Sequence, residues 1–290
     1  MPELPEVEGV VRMLKPVVEG KTIQHVEVSE TIRTSIAQGK QAILKNAEPD
    51  VLIDALKGMT IERVERRSKY IFFHVLKNDV PYIIVNHLGM TGAWFYVQSL
   101  DDMTEEKFKK HRHVVLTLDN EELLVYSDIR RFGEIRLVER LEDHPPLLQM
   151  APEPFDDGAY AHFLEKSMLP KYQGKAVKEV IMDGQVISGC GNIYATEALF
   201  KRKIHPARKM SRMSEKSKRA LFAEIVVILQ ESIDQGGSTI SDYRNVNGEA
   251  GGMQHRLKMY GKKECPECKT ATSQMTIGGR TSVYCPNCQH

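Results

Sequence analysis

The chain has almost no net charge: 40 Lys and Arg against 39 Asp and Glu leave +1 over 290 residues. Global electrostatics therefore do not single out a polyanionic partner, and any nucleic-acid contact has to come from local clusters. Cysteine occurs five times and tryptophan once, too little for a disulfide-built secreted scaffold and in keeping with a reducing cytosol. No apolar run approaches the ~20 residues of a membrane-spanning helix. The N-terminus is acidic and lacks the apolar core of a secretory signal. Walker and dinucleotide glycine patterns, internal repeats and low-complexity tracts are all missing. What remains, 41% hydrophobic and 27% charged residues, is an ordinary globular composition, long enough for two domains.

Four of the five cysteines are concentrated at the C-terminus as Cys265-Pro-Glu-Cys268 and Cys285-Pro-Asn-Cys288, leaving Cys190 alone. Two such knuckles supply four thiolates for a tetrahedral zinc. Disulfides or redox pairs are the alternative, but knuckles this close chelate zinc in preference. Between them Thr276 to Tyr284 reads as strand, Gly278-Gly279 turn, strand, with Arg280 at the tip. Arg280 is either a phosphate or groove reader or a solvated arginine on a structural ribbon.

The rest of the chain divides by periodicity. Pro5 to Leu14 predicts a short helix with Val7, Val10, Val11 and Leu14 on one face, ended by Pro16. From Thr22 to about Val138, short β-rich runs such as Tyr70–Val75, Tyr82–Val85, His113–Leu118 and Glu122–Tyr126 predict a β-sandwich. Residues 38–56 read as a helical insertion or a mobile loop. A Pro-rich acidic stretch, Glu142 to Asp157, reads as a linker. Helices are expected over 160–167, 175–182, 193–201 and 214–233, the last capped by Ser214. The expected class is α+β: an N-terminal helix with a β-sandwich domain (1–145), a helical domain (152–255) and a C-terminal zinc hairpin (256–290).

Two further segments carry chemistry. The chain begins Met1-Pro2-Glu3-Leu4-Pro5-Glu6-Val7-Glu8. Removal of Met1 leaves Pro2 with a free secondary amine. An α-amino pKa of about 7.7–8.0 makes it substantially neutral at physiological pH. Such an amine attacks an aldehyde-like carbon and forms an iminium, an electron sink, and Glu3 stands beside it to move protons. Many chains begin Met-Pro without using it. Further on, Gly189-Cys-Gly-Asn192 precedes a helix. Two glycines allow a tight turn, and Asn192 as the expected cap with the amides of a helix start makes an anion site, or simply a well-capped interhelical turn.

In this order and at these ends, the segments resemble formamidopyrimidine-DNA glycosylases, bifunctional base-excision enzymes, over essentially the full length. Pro2 to Glu8 is close to the family's N-terminal signature, Gly189 to Tyr194 is similar to its helix–two-turn–helix motif, and the four-cysteine hairpin with Arg280 resembles its zinc finger. The resemblance implies Pro2 as the nucleophile on deoxyribose C1′ and Glu3 as its acid/base partner. It implies Lys69 as the lysine assisting β-elimination and Arg280 as the zinc-finger arginine tied to δ-elimination and phosphate contact. His87 and His111 match DNA-contacting positions, and Asn192 belongs to the phosphate clamp. Met90, Arg130 and Phe132 match the trio that fills the hole left by a flipped nucleotide, where inserted wedges offset lost stacking. Implied with these are one structural zinc on Cys265, Cys268, Cys285 and Cys288, damaged double-stranded DNA as partner, a monomer without membrane association, and a cytoplasmic, nucleoid-associated place in a bacterial cell. The expected substrates are oxidised purines.

Two other readings stay open: an endonuclease VIII-like enzyme for oxidised pyrimidines, and a catalytically silent DNA-binding paralogue. The chain also departs from the family pattern. Asp183 is followed by Gly184 rather than Gln, the segment from Gly236 to Met253 that corresponds to the lesion-covering loop ends Gly252-Met253 where relatives often carry Tyr-Phe, and 30–57 is long.

Overall fold

The computed structural model describes residues 2–40, 42–45, 47–238, 246 and 251–290. The chain forms two compact units, residues 1–147 with 236–252, and residues 148–235 with 253–290.

The first unit opens with helix α1 (Leu4–Val18). It continues through β1 (Ile23–Val28), α2 (Glu30–Ala37), β2 (Ile43–Leu44), α3 (Pro49–Leu56), β3 (Thr60–Arg67), β4 (Tyr70–Lys77), β5 (Val80–His87) and β6 (Gly92–Val97). Then come α4 (Glu106–Lys110), β7 (Arg112–Leu118), β8 (Leu123–Asp128), β9 (Glu134–Val138) and α5 (Pro145–Leu148). The strands make two sheets, ordered β1-β7-β8-β6 and β2-β9-β5-β4-β3. Both sheets and α1 contribute to one core that includes Val10, Leu14, Ile61, Phe73, Trp94 and Leu116. The expected sandwich is present. Within it the Trp94 indole donates to Asn86 Oδ1 at 2.9 Å, joining β6 to β5, so a buried polar pair is satisfied. The β4–β5 turn places Asn78 and Asp79 at φ +52° and +64°, the geometry a two-residue hairpin needs at both central positions.

Two expectations for this unit are corrected. Pro16 does not end α1; it lies inside the helix, which runs on to Val18. An interior proline costs roughly 3 kcal/mol. Val18, with no exposed surface, recovers about 1.5–3 kcal/mol by burial, and the helix ends only two residues past the proline. Residues 38–56 are neither one helical insertion nor one loop: β2 pairs in parallel with β9 through Ile43–Glu134 and Leu44–Ile135, and α3 follows.

The second unit holds α6 (Ala159–Met168), α7 (Pro170–Gln173), α8 (Val177–Ile181), α9 (Asn192–Lys201), α10 (Glu215–Asp234) and the hairpin β10 (Ser273–Ile277) and β11 (Arg280–Tyr284). Ser214 caps α10 as expected, its Oγ accepting from the Ser217 amide at 3.2 Å. The cap of α9 differs from expectation: Gly191 is the N-cap and Asn192 the first helical residue. Glycine is a good N-cap because it has no side-chain strain there, and this releases the Asn192 side chain for another contact. Glu197 of α9 is 3% exposed and accepts the amides of Lys258, Met259 and Tyr260 at 2.7–2.9 Å. One buried carboxylate thus anchors the chain entering the hairpin. No described helix is long and apolar enough to cross a membrane.

Candidate active site

The head of α1 places Pro2 and Glu3, both buried. Glu3 is the N-cap and forms a reciprocal capping box with Glu6; the Glu3 amide donates to Glu6 Oε2 at 2.7 Å. The other Glu6 oxygen accepts from the Ser238 amide and hydroxyl at 2.7 and 3.1 Å. Carboxylates at a helix N-terminus sit at its positive end, which explains how the fold tolerates two of them with about 1% exposure. Most of the segment read as a lesion-covering loop, 239–245 and 247–250, lies outside the described residues.

Lys69 sits with Ser68 at the two-residue tip of the β3–β4 hairpin, where Arg67 pairs with Tyr70. Ser68 has φ +56°, a left-handed conformation that costs a non-glycine residue roughly 1–2 kcal/mol. Arg66 supports it. Its Nη1 donates to the Ser68 carbonyl at 3.1 Å and its Nε to Glu8 Oε2 at 2.8 Å. One guanidinium therefore ties the hairpin that carries Lys69 to the helix headed by Pro2. Burial alone would raise the Glu8 pKa, but hydrogen bonds from Arg66 and then Arg12 more than offset it and hold the carboxyl below its usual range.

His87 ends β5. Its Nδ1 accepts from the Gly89 amide at 3.0 Å, so the neutral ring carries its proton on Nε2. Burial first, and then the charge of Lys69, lower its pKa to about 4. At neutral pH His87 is an uncharged Nε2–H donor, suited to a phosphate oxygen. Its ring lies 4.9 Å from that of Tyr70, whose hydroxyl is pushed up to about 12, chiefly by burial.

Met90, Arg130, Phe132 and His111 are gathered around one buried carboxylate. Asp128, with no exposed surface, accepts from Thr91 Oγ1 at 2.6 Å, the Arg130 amide at 3.2 Å and the Gly133 amide at 2.7 Å. Its own amide donates to the His111 carbonyl at 3.0 Å. The Met90 and Phe132 turns pack so tightly that a Cβ on Gly89 would come within 2.5 Å of the Phe132 backbone. Arg130 lies 4.7 Å over the Phe132 ring, and Phe132 is 61% exposed. A large aromatic ring left outside the core fits a wedge better than the packing role its residue type ordinarily takes. His111 follows α4, and its Nδ1 donates to the Lys107 carbonyl at 2.7 Å. Sequence reading missed Asp128, Thr91 and the Glu8–Arg66 pair; no local pattern marks them, because Asp128 and Thr91 are 37 residues apart.

In the second unit the Asn192 Nδ2 donates to the Thr281 carbonyl at 3.1 Å. This joins the glycine turn to the zinc hairpin one residue from Arg280. Gly278 and Gly279 adopt φ +55° and +71°, the double positive φ of a tight hairpin, and Arg280 opens β11 opposite Ile277. The sulfurs of Cys265, Cys268, Cys285 and Cys288 all lie within 4.8 Å of one another, with Cys265–Cys288 at 3.9 Å and Cys268–Cys285 at 3.4 Å. A Zn–S length of about 2.3 Å in a tetrahedron requires sulfurs roughly 3.8 Å apart; a disulfide requires about 2.05 Å. The four thiolates fit one structural zinc and fill its coordination. Gln289, 3% exposed, fastens the second knuckle: its Oε1 accepts the Cys285 amide at 2.8 Å and its Nε2 donates to the Ile204 carbonyl at 2.9 Å.

Residues 1–135 match the formamidopyrimidine-DNA glycosylase N-terminal domain, 150–244 its H2TH domain, and 262–290 the zinc finger found in FPG and IleRS. The formamidopyrimidine-DNA glycosylase of Bacillus subtilis is 39% identical over 293 residues, covering 100% of this chain and 99% of the relative. The Lactococcus lactis Fpg in complex with DNA containing an abasic site superposes with a TM-score of 0.82 at 30% identity, over 100% of both chains. The wild-type Lactococcus lactis protein with DNA containing an oxidized pyrimidine gives 0.81 at 30% identity, over 99% of both. With the three domain matches spanning the chain in order, this protein belongs to the formamidopyrimidine-DNA glycosylase family.

Proposed function

We propose that this protein is a base-excision DNA glycosylase and abasic-site lyase that removes oxidised purines from duplex DNA through Pro2. The observation that carries the reading is the tethered pair: Pro2–Glu3 at the head of α1, and Lys69 on a hairpin tip fastened to the same helix through Arg66 and Glu8.

The chemistry follows from the groups present. The Pro2 nitrogen bonds to C1′ as the bond to the base breaks, and the N–H proton that the nitrogen then sheds is taken up by the departing base. Glu3 delivers a proton to the ring oxygen, the sugar opens, and the nitrogen lone pair completes an iminium. That cation acidifies the C2′–H; loss of this proton expels the 3′ phosphate, and a second elimination expels the 5′ phosphate. Water then releases the sugar remnant from Pro2. Lys69 assists the eliminations, and Arg280 and Asn192 hold backbone phosphate. His87 and His111 contact DNA, while Met90 and Phe132 fill the vacated stack and Arg130 offers donors to the orphaned base. The zinc takes no part in these steps; it holds the Arg280 hairpin. We place the enzyme as a monomer in the bacterial cytoplasm, acting at the nucleoid.

Borohydride trapping on an 8-oxoguanine duplex tests this. A covalent adduct and strand nicking are expected, and both disappear when the N-terminus is blocked by a tag while duplex binding persists. Absence of adduct and lyase activity with untagged protein rejects the mechanism and leaves the silent paralogue. The Lactococcus lactis complex with an oxidized pyrimidine favours a second reading, activity on oxidised pyrimidines; parallel excision from 8-oxoguanine and thymine glycol duplexes ranks the two.

A further inference from the structure

A second basic surface in the C-terminal unit is absorbed by none of these roles. His205, Ala207, Arg208, Lys209, Arg212 and His290 line a groove of about 640 Å³. Arg208, Lys209 and Arg212 have no ion-pair partner within 4.0 Å among the described residues. The neighbouring cations differ: Lys175 pairs with Glu179 at 2.6 Å and Lys203 with Glu267 at 3.5 Å.

The backbone that carries these charges is held in place. The Val177 amide donates to the Arg208 carbonyl at 2.7 Å, Lys178 to Pro206 at 3.2 Å and Met210 to Lys175 at 3.0 Å. Ala176 and Lys209 form an isolated antiparallel bridge. The His205 Nδ1 accepts from the Ala207 amide at 3.2 Å, which leaves Nε2–H as a donor. Burial and then the Arg208 charge lower the His205 pKa. The groove thus has a fixed backbone that carries uncompensated positive charge, the chemistry that receives phosphate oxygens.

Its position selects the source of the phosphate. The His205 ring packs on Tyr284 at 4.6 Å, and Tyr284 ends the strand that Arg280 begins. At ~3.3 Å per residue that strand spans about 13 Å, far enough for the groove and Arg280 to meet different phosphates, which lie ~3.4 Å apart along a strand. We propose that this groove binds the phosphodiester backbone of the same duplex, at a phosphate other than the one held at Arg280. The proposal rests on the glycosylase reading above.

The test uses full-length, zinc-loaded protein and a combined Arg208→Gln, Lys209→Gln, Arg212→Gln variant, on lesion duplexes shortened stepwise from each end. On a long duplex the variant binds more weakly, and the slope of log K against log salt falls by about 0.9 for each phosphate the variant no longer neutralises. On a duplex too short to reach the groove the two proteins bind alike, and borohydride trapping there is equal, which reports an intact fold and active site. A charge-preserving Arg208→Lys, Arg212→Lys variant keeps most of the salt slope. Equal affinity of variant and parent on the long duplex overturns the proposal, as does an equal loss on both lengths. Stabilisation by inorganic phosphate that the triple variant abolishes, without change in long-duplex affinity, also overturns it in favour of a free-phosphate site. Failure of trapping in the parent protein would instead strike the glycosylase reading.

Discussion

Asp128 and Phe132 lie four residues apart and have opposite surroundings. Asp128 is wholly enclosed, and its carboxylate holds the turns that carry Met90, Arg130 and Phe132; Phe132 is left 61% exposed. An exposed ring contributes little to folding, so Phe132→Ala should leave the thermal midpoint unchanged. In the proposed role the same change removes a wedge that offsets a few kcal/mol of lost stacking. Loss of even ~1.4 kcal/mol of that lowers excision about tenfold. Single-turnover excision from an 8-oxoguanine duplex, set beside the melting curve, checks this; a stability loss matching the activity loss would make Phe132 a packing residue. Of this corner, the resemblance to the family pointed to Met90, Arg130 and Phe132 as expected DNA contacts. It did not show Asp128, because a carboxylate that receives hydrogen bonds from distant turns looks the same in sequence as a solvated one.

At the scale of elements, local signals worked where local forces dominate. Ser214 predicted the start of α10, and Gly278-Gly279 predicted the hairpin turn, because capping and positive φ depend on a few adjacent residues. They failed where packing overrides propensity: α1 runs through Pro16 because Val18 is buried, and Gly191 rather than Asn192 caps α9, which leaves the Asn192 side chain free to reach Thr281. Glycines also differ by context. A Cβ at Gly133 would lie 1.9 Å from the Tyr126 hydroxyl, whereas Gly174 has nothing within 4 Å. Gly133→Ala should therefore lower the urea midpoint clearly and reduce lesion excision by displacing the Phe132 turn. Gly174→Ala, at φ −83°, should be neutral or slightly stabilising. Equal midpoints for the two variants would refute the close packing of that turn.

For the whole molecule, metal and pH are the accessible levers. The second knuckle, Gln289 and the hairpin core of Phe200, Met259 and Val283 are assembled around the four thiolates. Removing zinc with a chelator should unfold residues 262–290 and abolish duplex binding and nicking; amide exchange checks that the β-sandwich core stays protected. Buried histidines contribute to the acid limit. His87, His113, His144 and His205 all have lowered pKa values, burial being the largest cause in each. Their unfolded pKa is about 6.5, so below that pH the unfolded chain binds more protons and stability falls as pH falls. For His87 the stabilisation is complete above ~6.5 and is lost as the pH drops toward about 4. Urea midpoints measured across this window should decline, and less steeply in His87→Gln; parallel curves for the two proteins would show that His87 does not titrate as described.

Read alone, the sequence supplied the candidate chemical groups: Pro2 beside Glu3, four thiolates in two knuckles, a glycine turn before a helix. Each of these is specified by residue type and short spacing, which survive without knowledge of the fold. Tertiary structure alone decided how the groups are held. Arg66 joins the Lys69 hairpin to α1, Asp128 gathers the wedge turns, and three cations share a groove beside Tyr284. These depend on contacts between residues far apart in the chain, formed only when the burial of apolar surface brings their elements together.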